Sequence, residues 1–170
     1  MGLREGVGRG PLGLDTSIFI YWVEEHPRFA SLLEPVFEAV GRGELSVVTS
    51  AITMLEVLVQ PYRRGDAGLA RRFETLLTAT RGVELVPVDL PLLRAAAYLR
   101  AAVRAKTPDA LQLASAMTRS CPCFLTNDSS IPKVPGMTIL QLADYAPPPT
   151  AVHERPRPRK RARSRVRRRG

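Results

Sequence analysis

Short apolar runs alternate with longer stretches of helical periodicity along most of this chain, and this alternation restricts the fold more than any other feature. The runs at 45–49, 83–88 and 123–126 are short and apolar, whereas the stretches between them repeat apolar residues every three to four positions. Strands that are separated by helices form parallel βαβ units. The pattern predicts an α/β domain of three layers, in which helices flank a central parallel sheet of four to five strands.

The charge is distributed unevenly along the 170 residues. Residues 1–150 hold 15 basic and 15 acidic side chains, so the net charge of +9 comes entirely from the ten basic residues and one acid of residues 151–170. We therefore expect three segments: a flexible N-terminus over 1–11, a folded domain over 12–146, and a disordered tail rich in Pro and Arg over 147–170. An alternative is that the tail is unselected coding sequence appended to a finished domain.

Several classes of protein are disfavoured by what the sequence lacks. No apolar run approaches the roughly 20 residues that span a bilayer, and residues 1–10 contain no apolar signal core. Cys121 and Cys123 are expected to be packed thiols, while His26 and His153 are isolated, so zinc binding and nucleophilic Ser–His or Cys–His chemistry have little support. We expect a cytoplasmic protein that is not inserted in a membrane.

Four acidic residues have a context that favours a functional site. Asp15 and Asp128 each follow an apolar strand, at the edge of a parallel sheet where ligands bind. Asp109 lies in the first turn of a predicted helix, and Glu56 lies between two apolar residues of another. The alternative for Asp15 is that it only caps the helix that follows.

Carboxylates that are brought together repel one another unless a cation lies between them. Mg²⁺ and Mn²⁺ prefer oxygen ligands, and one or two such ions can activate water and stabilise the leaving oxygen of a phosphodiester. Each acid alone is better explained as a helix cap or a solvated side chain. The four together indicate metal-dependent phosphodiester chemistry.

The segments that contain these acids resemble the PIN-domain ribonucleases, and within them the VapC-type toxins of bacterial and archaeal toxin–antitoxin pairs. The resemblance covers roughly residues 12–143, with its motifs in the expected order at Leu14–Ser17, Ser50–Val57, Thr107–Ala114 and Leu125–Asp128. It implies a PIN-like three-layer fold and Mg²⁺- or Mn²⁺-dependent endonucleolytic cleavage of RNA.

The resemblance also implies roles for individual residues. The catalytic acids that it implies are Asp15, Glu56, Asp109 and Asp128, of which Asp15, Asp109 and Asp128 would bind the metal. Thr16, Ser50 and Asn127 match the small polar residues that support the acids. Many members carry a further acid where this chain has Ser130, which leaves open whether one or two metal ions bind.

The implied partners are an RNA substrate, a cognate antitoxin protein and a second copy of the chain. Alternatives are a housekeeping RNA-processing nuclease and, less favoured, a non-catalytic RNA-binding module of PIN-like fold. The basic tail is expected to bind RNA phosphates without sequence preference. The tail residues concerned are Arg155, Arg157, Arg159, Lys160, Arg161 and Arg163.

Two local expectations concern the helix that contains Glu56. Ser50 is a typical helix-capping residue and is expected to cap this helix at its N-terminus. Pro61 is expected to end it, because proline has no N–H to donate within a helix.

Overall fold

The computed structural model describes residues 2–8 and 10–147. The predictions for His153 and for the basic tail beyond residue 147 lie outside the described residues. The helices are α1 (Leu3–Val7), α2 (Thr16–Val23), α3 (Ala30–Gly41), α4 (Ile52–Arg64), α5 (Ala67–Ala79), α6 (Leu90–Val103), α7 (Thr107–Thr118) and a terminal 3₁₀ helix (Leu142–Tyr145). The strands are β1 (Leu12–Leu14), β2 (Val47–Ser50), β3 (Val83–Val86), β4 (Cys123–Thr126) and β5 (Thr138–Gln141).

The five strands form one parallel sheet in the order β3-β2-β1-β4-β5. The predicted three-layer α/β architecture is confirmed. Because β1 lies in the middle and runs parallel to β4, the residues that follow these two strands, Asp15 and Asn127, lie at the same edge of the sheet. The register pairs Leu14 with Leu125 and so fixes how the two ends face each other.

Two apolar cores cover the two faces of the sheet. One is built mainly from α1–α5 and includes Phe19 and Phe73, and the other is built mainly from α6 and α7 and includes Leu113. Strands buried on both faces explain why β1, β2 and β4 read as continuous apolar runs. Cys121, at the start of the β4 region, is a buried free thiol whose pKa is raised to about 11 by burial.

The N-terminal segment differs from the flexible one that was expected. Residues Leu3–Val7 form α1, with Leu3 and Val7 buried against α3 in the first core. These two apolar side chains are four residues apart and so lie on one face of the helix. The expectation of a flexible N-terminus is therefore wrong for residues 3–7.

Both boundary predictions for α4 are wrong. Ser50 is the last residue of β2, and the N-cap position is taken by Ala51, which makes no side-chain capping hydrogen bond. The helix continues through Pro61, which is buried, and ends at Gly65 in the left-handed conformation with φ 66°. Near the helix end the Pro61 carbonyl accepts a hydrogen bond from Asp66 N at 2.9 Å, as in a C-cap with glycine in the left-handed conformation.

None of the helices in residues 2–8 and 10–147 combines the length and the apolar composition that a membrane span requires.

Candidate active site

Asp15 lies between β1 and α2, and its side chain contributes to a site and not to a helix cap. Its backbone N–H donates to the Leu125 carbonyl at 3.0 Å, which extends the β1–β4 pairing. Although Asp15 is at the N-cap position, its carboxylate makes no capping hydrogen bond. Its Oδ2 atom accepts instead from Ser17 Oγ at 2.7 Å and from Thr126 Oγ1 at 2.8 Å. The structure therefore contradicts the alternative in which Asp15 only caps α2.

The Thr126 hydroxyl connects Asp15 to Asp128. While it donates to Asp15, it accepts a hydrogen bond from Asp128 N at 2.9 Å. Asp128 Oδ1 in turn accepts from Ser130 N at 2.7 Å, and hydrogen bonds from the Ser130 backbone and side chain lower the pKa of the Asp128 carboxyl. Asp128 is therefore held in its charged form next to the strand ends.

Asp109 lies within electrostatic range of both of these acids. Partial burial raises the pKa of the Asp109 carboxyl, the charge of Asp128 raises it further, and Asp15 adds a smaller effect. Lys106, just before α7, opposes these effects. Asp109, in the first turn of α7, is therefore close enough to Asp128 after β4 and to Asp15 after β1 for their charges to act on it.

Glu56 lies in a separate network of hydroxyl and amide groups. The Thr16 hydroxyl donates to Glu56 Oε2, and Gln112 Nε2 donates to the same oxygen at 3.2 Å. Thr53 Oγ1 hydrogen bonds to Thr16 Oγ1 at 3.1 Å and to Thr49 Oγ1 at 2.7 Å. Because a carboxylate only accepts hydrogen bonds, this chain of hydroxyls is oriented towards Glu56.

The three residues that were predicted to support the acids have different contacts. Thr16 contacts Glu56, as described above. Ser50 is fully buried at the end of β2, and its hydroxyl accepts from Ile52 N at 3.4 Å. Asn127 donates to Tyr21 Oη at 3.3 Å and accepts from Ala143 N at 3.0 Å, so it joins β4 to α2 and to the terminal 3₁₀ helix and contacts none of the four acids.

Three other contacts of the acids were not predicted from the sequence. Ser17 and Thr126 hold Asp15, while Gln112 holds Glu56. All three residues lie within the motifs that resemble PIN-domain ribonucleases. The sequence shows only that they are polar and does not show which acid each one contacts. The contact between Gln112 and Thr16 joins residues 96 positions apart and depends on the packing of α7 against β1, the strand that leads into α2.

The donor set fits a hard divalent cation. Asp15, Asp109 and Asp128 offer oxygen atoms, the ligands that Mg²⁺ and Mn²⁺ prefer. Within the described ranges, no three His, Cys, Asp or Glu side chains are close enough together to hold one metal ion as they stand. Mg²⁺ commonly binds through one or two carboxylates and keeps several waters, so the separation of these acids is compatible with such an ion.

Comparisons with known proteins agree with this fold. The family model described as "PIN domain" matches residues 13–137, and the chain belongs to this family. No curated protein matches the chain.

Several solved structures share the fold. VapBC2 from Rickettsia felis, bound to a DNA fragment from its promoter, is 15% identical over 76% of this chain and 97% of its own, with a TM-score of 0.58. A toxin–antitoxin complex from Klebsiella pneumoniae is 21% identical over 76% and 96%, with a TM-score of 0.56. DNA-bound VapBC from Salmonella typhimurium is 17% identical over 78% and 98%, with a TM-score of 0.54.

Proposed function

We propose that this protein is a Mg²⁺- or Mn²⁺-dependent endoribonuclease that acts as the toxin of a toxin–antitoxin pair. The single observation that carries the proposal is that Asp15 and Asp128, after neighbouring strands, both act electrostatically on Asp109. Burial raises the pKa of the Asp109 carboxyl, and the charges of Asp128 and Asp15 raise it further. Carboxylates placed in this way repel one another unless a cation lies between them. Membership of the PIN domain family supports nuclease chemistry.

The protein side chains have distinct parts in the proposed reaction. Asp15, Asp109 and Asp128 would hold the metal, and the two hydroxyls on Asp15 Oδ2 fix the direction of that carboxylate. Among the described residues no hydrogen bond uses Asp15 Oδ1, which remains available to a ligand. Glu56, whose Oε2 is held by Thr16 and Gln112, is the remaining acid that could accept a proton from an attacking water.

A bound Mg²⁺ or Mn²⁺ supplies Lewis acidity, which favours ionisation of a nearby water and stabilises negative charge on a leaving oxygen. The contacts of the acids described above would position them for this chemistry before RNA binds.

The test of the proposal is cleavage of total cellular RNA by the purified protein, with the cut sites mapped. We expect cleavage with Mg²⁺ or Mn²⁺ and none in EDTA. Asp109→Asn keeps the size of the side chain and removes its charge, so it should fold and fail to cut. Ser115→Ala, at a buried position of the same helix outside the network, is the matched control. Cleavage by Asp109→Asn near the wild-type rate would contradict the proposal.

The toxin role is distinguished from a housekeeping nuclease by an inhibitory partner. An open groove of about 660 Å³ lies between α2, α3 and α5, with Trp22 and Leu76 among its apolar lining and Arg71 and Arg72 among its polar lining. Such a surface fits a protein segment with apolar anchors and acidic side chains. This supports an antitoxin segment as its occupant.

The antitoxin assignment is tested with the product of a short reading frame immediately upstream of the gene. We expect that product to co-purify with the protein and to block cleavage, and Leu76→Glu in the groove to weaken the block while the free enzyme still cuts. Absence of such a reading frame, or a block that is unaffected by Leu76→Glu, would favour the housekeeping role or another docking surface.

A further inference from the structure

Gln112 is a buried amide at the centre of the network that holds Glu56. It is 3% exposed, and it lies on α7 one turn after Asp109. Its Nε2 atom donates to Thr16 Oγ1 at 2.6 Å and to Glu56 Oε2 at 3.2 Å. The two acceptor oxygens are hydrogen-bonded to each other, so one side of the amide nitrogen donates to both of them.

The orientation of this amide is determined by its hydrogen-bond partners. The reverse orientation would place the amide oxygen against the Glu56 carboxylate and would bury two N–H groups without acceptors. In the orientation observed, Gln112 Oε1 is a buried side-chain atom that has no hydrogen-bond partner among the described residues.

The unpaired oxygen shows that Gln112 does not serve packing alone. A buried acceptor without a partner is unfavourable, and an unbranched apolar side chain of similar length would fill the same space without it. The unpaired oxygen belongs to the same amide whose nitrogen donates to Thr16 and Glu56. The hydrogen bonds of Gln112 Nε2 to Thr16 and Glu56 therefore explain why an amide occupies this position.

We infer that Gln112 is a positioning residue, whose amide fixes the Glu56 carboxylate against Thr16 and so aligns α4 with α2 and α7. Asp15 immediately precedes Thr16, and Asp109 lies on the same helix as Gln112, so the amide connects the segments that carry three of the four acids. This inference rests on the proposed nuclease function and names a residue on which that function depends.

The first experiment compares Gln112→Met with Ser115→Ala. Ser115 is also buried on α7, and its hydroxyl donates to the Leu111 carbonyl at 2.8 Å, away from the acids. We expect Gln112→Met to lower kcat for RNA cleavage roughly 10- to 100-fold, the range for loss of a residue that orients a site ligand. The KM and the Kd for Mn²⁺ should stay within about twofold, since the three metal-binding acids are unchanged.

The melting temperature separates a positioning role from a structural one. Gln112→Met removes the unpaired buried oxygen, which is stabilising, and also the hydrogen bonds to Thr16 and Glu56, which is destabilising, so its Tm should stay within a few degrees of the wild type. Ser115→Ala should leave kcat within about twofold of the wild type. If kcat of Gln112→Met is within twofold of the wild type, or falls only together with a Tm lowered by more than a few degrees, the inference is overturned.

The second experiment asks whether Gln112 acts through Glu56. In a Glu56→Gln background the carboxylate is gone, so adding Gln112→Met should change the residual kcat by less than about twofold. An additional loss as large as that of the single variant would mean that Gln112 acts independently of Glu56, which contradicts the inference.

A third measurement distinguishes failure of this inference from failure of the proposed function. The ¹³C NMR signal of the Glu56 carboxyl, assigned with Glu56→Gln, should shift in Gln112→Met and stay in place in Ser115→Ala. If the wild type cuts no RNA, the proposed function fails and the NMR comparison still decides the inference. An unshifted Glu56 signal in Gln112→Met would overturn it.

Discussion

At the scale of single residues, the carboxylates differ in how the fold treats their charge. Asp128 receives hydrogen bonds that favour its charged form, whereas burial and two neighbouring carboxylates disfavour the charged form of Asp109. Acids whose pKa values are shifted in opposite directions within one site commonly have different roles. The difference also gives the metal-free protein a characteristic dependence on pH.

We expect Asp109→Asn to be at least as stable as the wild type at neutral pH in EDTA. The raised pKa of Asp109 means that the native state binds its proton more tightly than the unfolded state, so ionisation lowers the stability of the wild type. The stability difference between the two proteins should therefore decrease as the pH falls through the folded pKa, and vanish below the unfolded pKa of about 3.9.

Urea denaturation of both proteins between pH 3.5 and pH 7.5 measures this difference. It should be smaller in 0.5 M salt, because Asp109 is partly exposed and its interactions are screened. An Asp109→Asn variant that is less stable than the wild type at neutral pH would contradict the repulsion that we describe.

The residues of the site were predictable to different degrees. The positions of Asp15, directly after β1, and Asp128, two residues after β4, could be predicted from the sequence, because residues just beyond a buried strand lie at the ligand-binding edge of a parallel sheet. The roles of Thr126 and Gln112 could not be predicted, since each depends on the distance between elements that are far apart in the chain. Asn127 adjoins Asp128, yet its side chain lies against Tyr21 and Ala143.

At the scale of secondary-structure elements, Gly13 determines how closely α7 approaches the central strand. A Cβ atom at this position would lie 2.6 Å from Phe124 Cδ2 and 2.7 Å from Ala116 Cβ. Both neighbours are fully buried, so neither can move away easily. The absence of a side chain at Gly13 therefore sets the position of the helix that carries Asp109 and Gln112.

We expect Gly13→Ala to lower the free energy of unfolding by about 1–3 kcal/mol, the range for an overpacked core. Gly41→Ala is the matched control, because nothing lies within 4 Å of the added Cβ at the end of α3. Chemical denaturation should show a lower free energy of unfolding for Gly13→Ala and not for Gly41→Ala. Equal stability of Gly13→Ala and the wild type would mean that α7 has room to move away from β1.

An exposed apolar stripe on α4 is a candidate surface for the homodimer that the family resemblance implies. Leu55, Val59 and Tyr62 recur at helical spacing on one side of α4 and are 64%, 38% and 63% exposed. An exposed apolar surface of this kind often marks a protein interface. We therefore propose that this stripe, which starts next to Glu56, contacts a second copy of the chain.

The double variant Leu55→Lys/Val59→Lys should be a folded monomer, whereas the wild type should have twice the mass of one chain in light scattering. Tyr98→Lys, at a 78% exposed aromatic residue of α6, is the control and should remain dimeric. A dimeric double variant would show that the α4 stripe is not the interface.

The elements show where sequence reasoning was sufficient and where it was not. Asp66 and Asp89 are of a residue type that favours the N-cap, and each accepts a backbone hydrogen bond at 2.9 Å at the start of α5 and α6. Pro61 failed as a stop signal because burial of its ring stabilises the continued helix up to Gly65. The strand order could not be read from the chain, since local patterns do not specify which strands are neighbours.

At the scale of the whole molecule, the net positive charge lies outside the PIN domain. The ten basic residues between 151 and 170 lie outside the described residues, but their number alone predicts attraction to RNA. Deleting residues 147–170 should weaken RNA binding and reduce the slope of log K against log salt, while the cut sites stay the same. Binding measurements from 50 to 300 mM salt test this, and an unchanged slope would exclude the tail from substrate capture.

The central claim is that Asp15, Asp109 and Asp128 form one metal-binding site. The shift of the melting temperature on adding Mn²⁺ tests it most directly. A ligand at a hundredfold excess over its Kd stabilises the native state by about 2.7 kcal/mol, which corresponds to a rise in Tm of roughly 5–11 °C for a domain of this size. Asp15→Asn can still accept the hydrogen bonds from Ser17 and Thr126, so it should be as stable as the wild type in EDTA. The account predicts a clear Mn²⁺ shift for the wild type and a much smaller one for Asp15→Asn. A full shift in Asp15→Asn, combined with lower stability in EDTA, would contradict it.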